Sequence, residues 1–413
     1  MDTPAAVSQP VQLDSQGHVI LPADVAKDYA LAAGGELTLR VTPEGILIKP
    51  SLTQLRKIYI EPTSRCNLAC RTCIRNIWDE PLGSMSPTTF QHILEALTGL
   101  NPKPIIFFGG FGEPLAHPDL PGMIQKVAPL ASKVEMITNG ILLNEKTSTQ
   151  LIEAGLNTLW ISLDGASSES YADVRLSESL PAILKNISRY RELYRQLHGG
   201  DADIGAAFVA MKRNIDELPK LLALSSRIGI TRYIITNVLP YTPEMCAEVL
   251  YNRSIERINW QASPWHPAIN MTEIDLNAVT REALLQAWST RPGGWFKKQN
   301  TCPFIEQRST TIGWDGSVSP CLALLHSHES YLFDLKRSVQ KYLAGNINET
   351  PLTTIWKSDE YTAFRNKVEQ FDFSPCTYCA SCEMAQGNQE DCFGNTFPTC
   401  GGCLWAQGII QCP

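Results

Sequence analysis

The sequence predicts an α/β protein: a partial (β/α)6 barrel with a small β-rich unit before it and a cysteine-rich unit after it. Three observations carry that expectation. Strand-sized apolar runs alternate with amphipathic segments from Ile58 to Thr236, the opening residues alternate at the strand period around glycine turns, and nine of the 13 cysteines fall between Cys302 and Cys412. The implied divisions are residues 1–52, 53–240, a bridge at 241–300, and 301–413.

Composition sets the outer limits. The chain has 413 residues, 44% of them hydrophobic, enough for one large core and smaller satellites. With 35 basic and 42 acidic side chains its net charge is −7, which opposes attraction to nucleic acid or anionic lipid. The first ten residues have neither a basic nor an apolar leader character, and no apolar run approaches the roughly 18 residues of a bilayer span. A cytoplasmic protein without a membrane segment is expected. In a reducing compartment an odd number of thiols, crowded at one end, points to metal ligation rather than disulfides.

The N-terminal unit reads as strands at Val11–Leu13, Val19–Leu21, Glu36–Val41 and Ile46–Lys49, with a helix near Ala23–Leu31 and turns at Ser15–Gly17, Gly34-Gly35 and Pro43–Gly45. Through Asp14-Ser15-Gln16-Gly17-His18-Val19-Ile20-Leu21-Pro22 and the later Gly35-Glu36-Leu37 it resembles the SpoVT/AbrB swapped-hairpin domain. That resemblance implies a homodimer and, in many members, DNA binding. Here six carboxylates face three cations over residues 1–50, the opposite of a DNA reader's bias, so a dimerising or substrate-docking module is the better reading.

The barrel strands are expected at Ile58–Glu61, Ile105–Phe108, Val134–Ile137, Thr158–Leu163, Ala206–Val209 and Tyr233–Thr236, with intervening helices such as Thr88–Leu97 and Ile183–Leu197. Six such units suit a partial TIM-type barrel, whose chemistry gathers at the C-terminal ends of the strands. Across residues 239–300 the rhythm is broken by Pro240, Pro243, Pro264, Pro267 and Pro292, leaving one helix near Glu282–Ser289.

Directly after the first barrel strand stands Cys66-Asn-Leu-Ala-Cys70-Arg-Thr-Cys73, a CxxxCxxC run. Three thiolates on one tight loop can hold three irons of a 4Fe-4S cluster and leave the fourth iron open; a three-cysteine zinc site is the alternative. Placed at the end of the strand that begins a (β/α) series, the motif resembles that of the radical S-adenosylmethionine (SAM) superfamily over about Ile58–Val238. The resemblance implies a SAM-binding 4Fe-4S cluster on Cys66, Cys70 and Cys73. It implies SAM contacts from Gly109, Gly110, Gly112 and Glu113 after the second strand, Glu113 receiving the amino group. Asn139 after the third strand, and Ser162 and Asp164 after the fourth, suit the ribose, and Arg175 suits the SAM carboxylate. Read as sequence alone, the glycines admit a ligand to the backbone or simply make a turn. Thr72 departs from the family, many members of which carry an aromatic residue there against the adenine; Trp78 or Met211 is expected to cover the base instead.

The later cysteines begin Cys302-x13-Gly316-x4-Cys321 and continue through Gly345-Asn346-Ile347, a helix-like Leu352–Arg365 and Cys376-x2-Cys379-x2-Cys382. This resembles the SPASM domain, which binds auxiliary iron-sulfur clusters. Cys392, Cys400, Cys403 and Cys412 follow at spacings outside the common form. Nine thiols suffice for two fully ligated clusters with one spare, zinc being the alternative, and the spacing does not disclose the pairing. The glycine-rich apolar tail is expected to shield a cluster from water. Cys246 reads as a buried thiol, and the seven histidines, His326 and His328 included, as surface residues.

With its tail the chain resembles the maturases that accompany tungsten-dependent aldehyde oxidoreductases. That implies a radical enzyme acting on a peptide or protein substrate, either the oxidoreductase or a small associated peptide, with ferredoxin or flavodoxin as electron donor. No side chain stands out as the general base. The competing reading is a redox-responsive iron-sulfur regulator that binds DNA through its N-terminal unit.

Overall fold

The structure is a computed structural model that describes residues 12–23, 37–42, 45–176, 179–256, 266–270, 278–282, 300–377 and 382–412. It divides into two compact units, Met1–Gln54 and Leu55–Pro413.

In the first unit β1 (Gln12–Leu13) pairs antiparallel with β2 (Val19–Ile20), and β3 (Leu37–Thr42) with β4 (Gly45–Pro50). The first turn closes because the Asp14 carboxylate accepts from the backbone N–H of Gln16 at 2.9 Å and His18 at 2.8 Å, with Gly17 at φ +84°. The expected helix beyond Ala23 and the turns at Gly34-Gly35 and Pro43-Glu44 lie outside the described residues. Val19, Ile20, Leu37, Leu39, Val41 and Ile46 are all exposed.

The second unit is organised by six consecutive parallel strands: β5 (Lys57–Ile60), β6 (Ile105–Phe108), β7 (Lys133–Thr138), β8 (Thr158–Ser162), β9 (Asp203–Ala210) and β10 (Arg232–Asn237). Their apolar runs are buried, as a sheet covered on both faces requires. Between them run α1 (Pro87–Thr98), α2 (Leu120–Val127), α3 (Glu145–Glu153), α4 (Ser168–Arg175), α5 (Leu180–His198) and α6 (Leu218–Arg227). Ser86, Asn144 and Ser167 start α1, α3 and α4 by accepting from the N–H of the third residue onward, at 3.0, 3.0 and 3.2 Å.

The proline-interrupted bridge contains a hairpin the sequence did not suggest, β11 (Asn252–Glu256) with β12 (His266–Asn270), in which Pro267 pairs opposite Ile255. Most of the helix expected at Glu282–Ser289 lies outside the described residues.

The cysteine-rich segment is not a separate sheet. After α7 (Pro303–Glu306), β13 (Ser309–Ile312) pairs parallel with β5, Thr310 opposite Ile58, and adds a seventh parallel strand. Antiparallel β14 (Ser317–Ser319) follows; then β15 (His328–Leu332) and β16 (Leu335–Val339) form a hairpin, and β17 (Gly345–Asn346) returns to β14. The nine-stranded order is therefore β10-β9-β8-β7-β6-β5-β13-β14-β17. Two helices, α8 (Leu352–Lys357) and α9 (Asp359–Gln370), stand where one helix-like stretch was expected. The tail docks on the opposite edge: Asn237 donates its backbone N–H at 3.3 Å and its side-chain amide at 3.1 Å to Ile409 O, and Gln411 N–H donates to Thr236 Oγ1 at 2.8 Å. Among the described residues no helix is long and apolar enough to cross a membrane.

Candidate functional site

The C-terminal ends of the parallel strands open into a cleft of about 300 Å³ lined by Cys66, Cys70, Thr72, Cys73, Gly110, Gly112, Glu113, Asn139, Ser162 and Arg175 among others. The cysteine loop after β5 holds its shape through its own side chains. Arg75 donates to Leu68 O at 3.0 Å and Ser64 O at 3.3 Å, and Asn76 donates to Cys70 O at 2.9 Å. Arg71 ties the loop to α4, donating from its backbone to Val174 O and from Nε to Asp173 O, both at 3.0 Å. Burial pushes the Cys66 and Cys70 thiols above their usual pKa. A bound cation such as iron would make thiolates of them.

Glu113 is buried, and its carboxylate accepts from Thr138 Oγ1 at 2.7 Å and the N–H groups of Asn139 at 2.8 Å and Leu115 at 3.1 Å. Burial drives its pKa up, and these donors oppose the rise. The neighbouring glycines are required by the protein's own packing. A Cβ on Gly112 would stand 1.9 Å from Thr63 O, and one on Gly110, at φ +143°, would meet Glu61 at 2.7 Å. Gly109 packs on Phe107 and does not line the cleft.

Arg175 pairs with Asp164 at 2.5 Å and donates to Cys70 Sγ at 3.7 Å. Burial works against its charge, but Asp164 and Cys70 outweigh that and raise its pKa. Its Nε has no partner among the described residues, leaving one donor unspent. Asp164 is wholly buried and also accepts from Val209 N–H at 2.8 Å, so it stands behind Arg175 and not at the cleft wall. Asn139 donates to Asn67 Oδ1 at 2.8 Å, bringing the third strand end against the cysteine loop. Trp78 and Met211 do not line the cleft. Its apolar wall comes instead from Phe111, Ile137, Val209, Val238, Trp405 and Ile410.

The sequence reading missed a histidine. His326 and His328 are buried, correcting their placement on the surface. His326 bridges two carboxylates, Glu61 at 2.9 Å and Glu80 at 2.7 Å, and stacks on Trp78 with ring centroids 4.3 Å apart. Glu61 in turn accepts from the N–H of Phe111, a wall residue of the cleft, at 2.9 Å. Burial lowers the His326 pKa, but the two carboxylates more than reverse this and leave it raised. The only sequence signal was the nearness of His326 to Cys321.

A second cavity gathers Cys302, Cys321, Cys400 and Cys403 within an apolar lining that includes Phe304, Leu404 and Trp405. Burial pushes the Cys302 thiol up to about 12 and carries Cys321 and Cys400 well above the usual range. Four such thiols beside the buried guanidinium of Arg337 fit an anionic iron-sulfur centre in donor type and charge. Of the remaining cysteines, Cys376 is buried, Cys382 and Cys412 are half-buried, Cys392 is exposed, and Cys379 lies outside the described residues. Cys246 is half-buried near Thr242 O. Among the described residues no three His, Cys, Asp or Glu side chains converge as a single metal ion would need, whereas a cluster spreads its thiolates one to each iron.

Known proteins match this arrangement. The Radical SAM superfamily model matches residues 60–202, and the SPASM model, an iron-sulfur cluster-binding domain, matches residues 302–383. The tungsten-containing aldehyde ferredoxin oxidoreductase cofactor-modifying protein of Pyrococcus furiosus is 30% identical over 366 residues, 87% of this chain and 97% of that protein. SuiB of Streptococcus suis bound to S-adenosylmethionine aligns at a TM-score of 0.51 and 16% identity, over 79% of this chain and 71% of its own. Native anSMEcpe with bound AdoMet aligns at 0.51 and 17% identity, over 80% and 88%. At such identities the two structures speak to the fold alone.

Proposed function

The chain belongs to the radical SAM enzymes that carry a SPASM domain, and from that premise we propose that it serves as a maturase for a tungsten-containing aldehyde oxidoreductase, modifying that protein or a small associated peptide. The family implies a SAM-binding 4Fe-4S cluster and auxiliary iron-sulfur clusters. When bound, the first supplies the electron that splits SAM into methionine and a 5'-deoxyadenosyl radical, which removes a substrate hydrogen.

One observation carries the reading: three cysteines, Glu113, Asn139 and Ser162 from different strand ends, with Arg175 from the end of α4, line one cleft. Cys66, Cys70 and Cys73 would hold the cluster. Glu113 would take the SAM ammonium, fixed in aim by Thr138 and Asn139. Arg175 would take the SAM carboxylate, with Asp164 as a positioning residue that holds its guanidinium. Ser162 and Asn139 would face the ribose, and the apolar wall would keep water from the radical. Two auxiliary clusters, one of them on Cys302, Cys321, Cys400 and Cys403, would pass or accept electrons, with ferredoxin or flavodoxin as the outside donor.

The exposed apolar side chains of the N-terminal hairpins support a homodimer formed through that unit. The relative's name favours a second substrate, the oxidoreductase's cofactor itself. Anaerobic reconstitution with SAM and dithionite, followed by mass spectrometry of the co-purified oxidoreductase, its peptide and its extracted cofactor, separates these. Release of 5'-deoxyadenosine with a mass change in the protein or peptide supports the proposal. A change in the cofactor alone selects the second substrate, and three clusters' worth of iron without deoxyadenosine favours the DNA-binding regulator.

A further inference from the structure

Arg337 is a buried cation with no anionic partner among the described residues. It sits on β16, is 6% exposed, and among the described residues is the only lysine or arginine lining the cavity of Cys302, Cys321, Cys400 and Cys403. Among those residues its guanidinium is held by carbonyl dipoles. Nε donates to Ala385 O at 2.9 Å, Nη2 to Gly387 O at 3.2 Å and Nη1 to Gly402 O. Among the described residues no carboxylate pairs with it. The hold is close: a Cβ on Gly402 would stand 2.2 Å from Nη2, so this position admits only glycine while the guanidinium stays where it is.

An uncompensated buried cation is costly, and a fold keeps one where a counter-charge belongs. The counter-charge on this page is the thiol set. Four thiolates around a 4Fe-4S core leave a net negative charge, which grows by one on reduction. A fixed positive charge therefore favours the reduced form over the oxidised one.

We propose that Arg337 is the positioning charge that sets the reduction potential of the auxiliary cluster held by Cys302, Cys321, Cys400 and Cys403, raising it so that this cluster takes an electron more readily. The proposal rests on the assignment of a cluster to that cavity. In the redox step one electron enters the cluster, supplied by dithionite in the test, and no bond forms or breaks.

The test uses the full-length reconstituted protein with EPR-monitored potentiometric titration and Mössbauer iron counting. Cys302→Ala with Cys403→Ala examines the assignment first: one cluster's iron and one redox transition should vanish, and their retention would mean that the cavity holds no cluster. Given that loss, Arg337→Gln should move the same transition to more negative potential with the iron count unchanged, Arg337→Lys should restore most of the shift, and the transition that responds to SAM should stay in place. An unmoved transition in fully loaded Arg337→Gln, or equal shifts in the Gln and Lys variants, would overturn the role of charge. Should Arg337→Gln load no iron, Gly402→Ala replaces it. Crowding the guanidinium away from the thiols should shift the transition in the same negative direction, and a fully loaded Gly402→Ala protein at wild-type potential would overturn the proposal.

Discussion

The bridge made by His326 yields a prediction whose size and pH dependence both follow from the structure. His326→Gln removes the charge and at least one of two short hydrogen bonds, to Glu61 at 2.9 Å and Glu80 at 2.7 Å, while Glu61 remains wholly buried. A charge-assisted hydrogen bond contributes about 1.5–3 kcal/mol, and stranding a buried carboxylate brings the loss to roughly 3–5 kcal/mol. For a unit of this size that is on the order of 4–7 °C in apparent Tm. The His326 pKa is raised in the folded protein because its two carboxylates outweigh the opposing effect of burial. Its stabilisation is therefore fully present below the unfolded histidine value of about 6.5 and is lost as pH rises through the folded value. The charged groups that face the bridge are Glu61, Glu80, Lys341 on the far side of Glu80, and His328. Burial raises the Glu80 pKa, but hydrogen bonds from His326, Lys341 and Ser327 outweigh it and leave the value lowered, so Glu80 titrates in a window below that of His326. Thermal unfolding of wild-type and variant holoprotein between pH 5.5 and 9 should show a Tm gap that is widest at the acid end and narrows with rising pH. A gap constant across that range would refute the ionised bridge.

Glu113→Gln should weaken SAM binding about 10- to 100-fold, the worth of one charge-assisted hydrogen bond, measured by equilibrium dialysis under anaerobic conditions; unchanged affinity would remove Glu113 from the amino-group role. Asp164→Asn leaves Arg175 without its 2.5 Å partner and should raise the KM for SAM more than it lowers kcat for deoxyadenosine formation. Cys70→Ala should cost one cluster's iron, about four atoms, and all deoxyadenosine, while auxiliary EPR signals persist. If the proposed homodimer forms through the N-terminal unit, Val41→Asp with Ile46→Glu, both on exposed strand positions, should convert it to monomer in light scattering without altering deoxyadenosine yield.

What the sequence disclosed depended on how local the information was. Ile105–Phe108 and residues 58–60 are continuous apolar runs, and such runs announce buried parallel strands without help from elsewhere. Ser309–Ile312 does not, because Ser309 and Thr310 are buried with hydrogen bonds that sequence does not display: Ser309 Oγ donates to Phe304 O at 3.0 Å and Thr310 Oγ1 to Ser319 O at 3.1 Å. The β11–β12 hairpin was hidden by Pro267, which reads as a breaker yet stands opposite Ile255. In the cleft, the cysteine loop was legible from its spacing, and Glu113 only through the family resemblance. The reason for Gly112 was not, since the atom it avoids, Thr63 O, belongs to another loop. His326 was obscure for the same reason: its partners Glu61 and Glu80 lie in the first part of the chain.

The region after residue 300 grips both edges of the six-strand sheet. β13 extends the β5 edge through ladder hydrogen bonds, and the tail caps the β10 edge through Ile409 and Gln411. An open barrel leaves two unpaired edges, and here one continuous segment covers both. Trp405 follows from that arrangement: it lines the cleft of Cys66, Cys70 and Cys73 and also the cavity of Cys302, Cys321, Cys400 and Cys403, while its indole N–H donates to Cys412 Sγ at 3.2 Å. A single aromatic side chain thus borders both thiol-lined spaces. The fold thus brings the cysteine-rich region to the barrel's chemistry by building it into the barrel's own sheet.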